Sequence, residues 1–198
     1  MVIDPIIGLL TEAQQCPSPN HDERPEGCMP ELIVIHNITL PPGEFGGDYI
    51  NQLFTNTLNQ DEHPFFAEIC HLKVASHLLI RRTGAIIQYV PFHWRAFHAG
   101  VSVYRGRSRC NDFSIGIELE GTDFIAFTEE QYQQLTQVIQ ALCLSYPSLS
   151  LQHITGHQHI APGRKTDPGP FFDWVRLGQD LGVNLPAEAS QTQPISCG

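Results

Sequence analysis

Hydrophobic and polar positions follow two distinct periods along the chain. ELIVIHN (31–37) is an unbroken, β-branched apolar run that ends in His36 and Asn37. It predicts a strand buried on both faces, with a polar pair at its end. SHLLIRRTGAIIQYVP (76–91) predicts two strands joined around Thr83 and Gly84 and ended by Pro91. In FSIGIELEG (113–121) the alternation is strict: Phe113, Ile115, Ile117 and Leu119 share one face, and Ser114, Gly116, Glu118 and Glu120 the other. The period then lengthens. TEEQYQQLTQVIQALCLSYP opens with Thr128 and Gln131 at capping-box spacing and places Tyr132, Leu135, Val138, Ile139 and Leu142 on one helical face, until Pro147 stops it. Shorter helices are predicted over residues 48–54 and after Pro170, through Trp174 and Leu177. Strands and helices alternate loosely, which predicts an α/β domain with a central mixed β-sheet flanked by helices.

The length of 198 residues suits one domain with its own core, expected over residues 1–186, and a disordered tail is expected over 187–198. A hydrophobic share of 41% is globular, and no apolar run is long enough to cross a bilayer. A formal charge of −10 argues against nucleic acid or an anionic membrane surface as a partner. Two local basic groups stand against that balance: Arg105, Arg107 and Arg109, and the pair Arg164 and Lys165. Both suit carboxylates on a small ligand, with solvated surface charge as the plainer alternative. MVIDPIIGLL at the start has no basic leader, carries Asp4 and Pro5 and offers no small-residue cleavage site, so no signal peptide is expected. The six cysteines form no CxxC pair, and reduced thiols in a cytoplasmic protein are expected.

The candidate chemistry gathers in TGHQHIAPGRKTDPGP (155–170), which has almost no apolar surface to bury. His36, at a strand end, joined to His157 and Asp167 from this stretch would give zinc three protein ligands and leave a fourth position open, as catalytic sites require. Metal binding would also order a loop with so little to pack. Spacing alone does not choose between His157 and His159, which an extended loop would point the same way. It does not choose between Glu118 and Glu120 as the base either. Lys165 would share a side with Asp167 and suits the stabilisation of negative charge on a substrate oxygen. His98, in the small-residue stretch RAFHAGVS, reads as part of a tight turn near a ligand. His21 and His63 lie in loop-like, proline-flanked sequence, and His71, His77 and His93, in or beside apolar strands, read as packing or hydrogen-bonding residues.

IVIHNI, LPPGEFGG, HPFFAEI, SIGIELEGTD and GHxxIAPxRKTDPGP together resemble the AmpD-type cytoplasmic N-acetylmuramoyl-L-alanine amidases, a family related to peptidoglycan recognition proteins. The likeness runs from about Cys16 to about Trp174. It implies the amidase fold of that family and one zinc ion per chain held by His36, His157 and Asp167, with Glu118 as catalytic glutamate and Lys165 as catalytic lysine. It also implies Asn37, Phe97 and Arg109 in the substrate cleft, although Phe97 stands where the family has tryptophan. The implied reaction is hydrolysis of the amide between the lactyl group of (1,6-anhydro)-N-acetylmuramic acid and L-alanine, on small muropeptides during cell-wall recycling; no protein partner is evident in the sequence. A non-catalytic muropeptide-binding module is the alternative, and the intact ligand set weighs against it.

Overall fold

The strand and helix signals in the sequence all become elements, joined by several shorter ones. The computed structural model describes residues 1–185, so the expected tail over 187–198 lies outside the described residues, as does Cys197. In chain order the elements are β1 (Gln14–Gln15), β2 (His21–Asp22), β3 (Leu32–Ile38), α1 (Tyr49–Phe54), α2 (Pro64–Ile69), β4 (Leu78–Ile80), β5 (Ile86–Gln88), β6 (Arg95–Ala96), β7 (Val103–Tyr104), β8 (Arg107–Ser108), a 3-10 turn (Cys110–Phe113), β9 (Ser114–Glu120), α3 (Glu129–Ser145), β10 (Ile154–Gly156), α4 (His157–Ile160) and α5 (Trp174–Leu181).

Six strands form one mixed sheet in the order β1-β5-β4-β9-β3-β10. The hairpin β4–β5 is antiparallel, whereas β3 runs parallel to both of its neighbours, β9 and β10. A central parallel strand is covered on both faces, which accounts for the unbroken apolar run of β3. The remaining short strands pair in two small ribbons, β2 with β6 and β7 with β8.

On one face of the sheet Ile33, Ile35, Ile115, Ile117 and Leu119 meet Leu135, Val138, Ile139 and Leu142 of α3 and Leu177 and Leu181 of α5 in the main core. Helix α3 starts where its capping box predicts. The Gln131 N–H donates to Thr128 Oγ1 at 3.2 Å, and the Thr128 N–H donates to Gln131 Oε1 at 3.0 Å. The Gln131 side-chain amide also donates to the carbonyls of Ile80 and Glu120, so the same residue clips the helix start to two strand ends. On the other face α1 and α2 pack around Leu79, Ile87 and Tyr89, while Leu32 and Val34 lie under Ala99, Phe113 and Ile160.

Two departures from the expected elements matter later. His63, read as loop, caps α2: its Nδ1 accepts the Phe65 N–H at 3.1 Å and Pro64 begins the helix. Residues 157–160 form a helical turn in place of an extended loop. Cys16, Cys28, Cys70, Cys110 and Cys143 are free thiols. Among the described residues no helix is long and apolar enough to cross a membrane.

Candidate metal centre and substrate cleft

The carboxyl ends of three parallel strands bring the site together. His36 of β3 is the register partner of Glu118 of β9, and Ile35 is the partner of Gly156, after which β10 gives way to His157. Three side chains from distant sequence thus reach one level of the sheet, at the edge where open α/β sheets bind ligands. Asp167 approaches from the following loop, whose backbone carbonyl accepts the Gln158 N–H at 2.8 Å.

His36 Nδ1, His157 Nδ1 and Asp167 Oδ2 lie 3.0 Å from one another in all three pairs. Both imidazoles are buried. The opposite ring nitrogens have partners of their own. His157 Nε2 lies 3.1 Å from the carbonyl oxygen of Ala99, which can only accept. A neutral His157 therefore carries its proton on Nε2 and presents a bare Nδ1. His36 Nε2 lies 2.9 Å from His98 Nδ1, and His98 Nε2 lies 3.0 Å from Ser114 Oγ, a relay that lets His36 also present a bare Nδ1. Two nitrogen lone pairs and a carboxylate oxygen converging on one point repel each other unless a cation lies between them. Their spacing is close to the edge of about 3.3 Å in a tetrahedron with bonds of about 2.0 Å, and a two-nitrogen, one-oxygen set suits zinc. The residues fit the metal.

The charges around this triangle are shifted by burial and by one another. Burial first, then the neighbouring His157, push His36 down to about 4. Burial alone would raise Asp167, but the adjoining His157 and His36 rings outweigh it and hold the carboxyl well below its usual range. Glu118 moves the other way: burial and then the Asp167 charge push it well above the ordinary carboxylate value, with Lys165 opposing. Its Oε2 is buried and has no hydrogen-bond partner. A buried carboxyl with a raised pKa and a free oxygen in a cleft is a candidate for proton transfer.

Glu120, two residues on, is fully engaged. Its carboxylate accepts from the Gly46 N–H at 2.6 Å, from Arg81 at 2.9 Å and from the Arg82 N–H at 3.1 Å. Geometry thus separates two residues that alternation left equivalent. The same holds for the two histidines of the loop. Because α4 begins at His157, residue 159 lies about 200° further round the helix. His159 Nδ1 accepts the Gly156 N–H at 3.3 Å and its ring rests against Trp174, away from the triangle.

A cleft of about 380 Å³ opens on His36, Glu118, His157, Lys165 and Asp167, with Asn37 and Phe97 also in its lining. A second cleft, of about 700 Å³, adjoins it and shares Asn37, Thr39, Pro42, Lys165 and Asp167. Asn37 is less free than expected, since its side-chain amide donates to Asp123 Oδ1 at 2.7 Å and to the Pro168 carbonyl at 3.0 Å. Arg109, itself in a left-handed conformation, lines neither cleft: its Nε donates to Asp112 Oδ2 at 2.9 Å. Arg107 pairs with Glu31 and stacks on Phe113. Arg164, read as a ligand-binding cation, instead donates to the carbonyls of Ala99 and Val101 at 2.6 and 2.7 Å. Sequence reasoning passed over Ser114 and Asn111 as site residues; the small-residue stretch after Phe97 was the one signal that pointed near them.

Residues 26–170 match the family described as N-acetylmuramoyl-L-alanine amidase. The chain is 62% identical over 170 residues to the 1,6-anhydro-N-acetylmuramyl-L-alanine amidase AmpD of Salmonella typhimurium, spanning 86% of this chain and 90% of that protein. A crystal structure of a selenomethionyl AmpD derivative superposes with a TM-score of 0.88 at 58% identity, covering 91% of this chain and 99% of the other. The amidase AmiD from Escherichia coli, solved with its substrate anhydro-N-acetylmuramic acid-L-Ala-D-gamma-Glu-L-Lys, superposes with a TM-score of 0.60 at 29% identity, covering 84% of this chain and 67% of the other.

Proposed function

The chain belongs to the N-acetylmuramoyl-L-alanine amidase family, and from that premise we propose that it is a zinc-dependent enzyme of cell-wall recycling. In this reading it hydrolyses the amide between the lactyl group of (1,6-anhydro)-N-acetylmuramic acid and L-alanine in small muropeptides, in the cytoplasm. One observation carries the reading: three lone-pair donors converge at 3.0 Å beside a buried glutamate oxygen with no partner.

His36, His157 and Asp167 would hold the zinc. When bound, zinc supplies a Lewis acid that polarises the scissile carbonyl and makes water nucleophilic near neutral pH. Glu118 takes the proton of the attacking water and hands it to the departing alanine nitrogen, a transfer that typically contributes about 10²- to 10⁴-fold. A nearby cation favours its ionised form, which is the form that accepts a proton. Lys165, exposed at the junction of the two clefts, places its ammonium against the negative charge that develops on the carbonyl oxygen. Asn37 and Phe97 form part of the wall that seats the substrate.

Mass spectrometry of products from a defined anhydro-muropeptide, with and without chelator, tests the reading. Free peptide released only with metal present supports it. Binding without cleavage at any metal load would make the chain a muropeptide-binding module instead.

A further inference from the structure

Both metal-facing imidazoles lean on the same two residues. The His98 ring meets His36 Nε2 at 2.9 Å, and the Ala99 carbonyl meets His157 Nε2 at 3.1 Å. The dipeptide is itself held from outside the site. Asn111 Oδ1 accepts both of its backbone N–H groups, from His98 at 3.2 Å and from Ala99 at 2.8 Å. Arg164 also donates to the Ala99 carbonyl, at 2.6 Å. Beneath the His98 ring is Gly116 of β9, where an added Cβ would fall 2.5 Å from the ring atoms. The ring therefore lies flat on strand backbone, with Ser114 Oγ at its far nitrogen.

We propose that the His98–Ala99 dipeptide, held in place by Asn111, is a positioning element that presents both imidazoles to the metal, so that Asn111 and His98 set zinc affinity without touching the ion. The proposal rests on the zinc reading above. Its physical content is a choice of tautomer. To offer a lone pair at Nδ1, His36 must carry its proton on Nε2 and needs an acceptor there, which is His98 Nδ1. That state requires the His98 proton to sit on Nε2, where Ser114 Oγ accepts it. His157 needs a fixed acceptor in the same way, and the Ala99 carbonyl supplies it. Both acceptors belong to adjacent residues whose backbone is fixed by one amide oxygen, so one loop position governs two ligands. Partners that orient metal-bound histidines in this way typically account for about 10- to 100-fold in metal affinity.

The test compares full-length wild type with Asn111→Leu, Asn111→Asp and His98→Phe. Each is stripped of metal and titrated with zinc against a chromophoric chelator, and far-UV circular dichroism of each metal-free protein is recorded alongside. Asn111→Leu and His98→Phe are expected to bind zinc about 10- to 100-fold more weakly with unchanged dichroism. Asn111→Asp, which keeps the accepting oxygen, is expected to stay within a few-fold of wild type. Wild-type affinity in both Asn111→Leu and His98→Phe would overturn the proposal while leaving the zinc reading intact. Asn111→Asp as weak as Asn111→Leu would remove the role assigned to the Asn111 oxygen. If Asn111→Leu does not fold, His98→Phe against wild type decides the matter alone. A wild type that takes up no zinc would sink the reading beneath the proposal, and the proposal with it.

Discussion

His36 and Glu118 stand directly opposite each other across β3 and β9, each at the carboxyl end of its strand. The proposed ligand and the proposed base are therefore fixed by the same ladder of backbone hydrogen bonds. A change confined to the Glu118 side chain should leave the His36 geometry alone.

Glu118→Gln is accordingly expected to keep one zinc per chain and normal substrate binding while kcat falls about 10²- to 10⁴-fold, because the amide keeps the shape but accepts no proton. Zinc analysis on the purified variant and steady-state kinetics check this. A variant with near-normal kcat would remove Glu118 from the proton-transfer role.

Glu120→Gln should behave differently. Glu120 ties the Gly46 backbone and Arg81 to the strand end, and the same loop brings Pro42 and Gly43 to the clefts. Removing one partner of a buried pair costs about 3–5 kcal/mol when the charge left behind is uncompensated, and the carbonyls of Gly46 and Gly47, which also accept from Arg81, put this case at or below the lower end. We expect a lower urea midpoint and a raised KM with kcat within a few-fold of wild type. A kcat loss equal to that of Glu118→Gln would merge the two roles.

His157→Ala should abolish stoichiometric zinc, whereas His159→Ala should retain it, as measured by elemental analysis of the purified proteins. The expectation follows from α4. An extended chain would have aimed both rings at the metal, and the helical turn sends the second towards Trp174.

Acid should destabilise the protein through His77. This buried ring accepts the Gly116 N–H at Nδ1 and meets the Trp94 carbonyl at Nε2, and burial first, then the charge of Arg24, push it down to about 3. Between about 6.5 and about 3 the unfolded chain binds a proton at this position that the folded chain refuses. Stability from this group is complete above 6.5 and is lost as the pH falls through that window. Urea midpoints measured from pH 7 to pH 4 should decline more steeply in wild type than in His77→Gln. Equal slopes would mean that the acid response arises elsewhere.

The most legible parts of the fold were those whose information is local. Helix α3 could be read from Thr128 to Pro147 because its cap, its period and its stop all lie within it. The cap of α2 was equally local, in His63 and Pro64, and was overlooked because a seven-residue stretch offers too few turns for a period to show. The pairing of β3 with β9 and β10 was not legible, since register depends on contacts far apart in sequence. Among site residues, charge type suggested Arg109 and Arg164 as ligand contacts. Both are taken by partners that no spacing rule reveals: one by Asp112, three residues on, and the other by carbonyls more than sixty residues away.

The two clefts meet along a crest formed by Asn37, Thr39, Pro42, Lys165 and Asp167. A substrate long enough to span both would find a trough walled by Phe54, Phe65 and Phe97 on one side of that line and one that holds Asp123 and Arg164 on the other. In the proposed reaction each product would then have a cleft of its own to leave by, with Lys165 common to both walls.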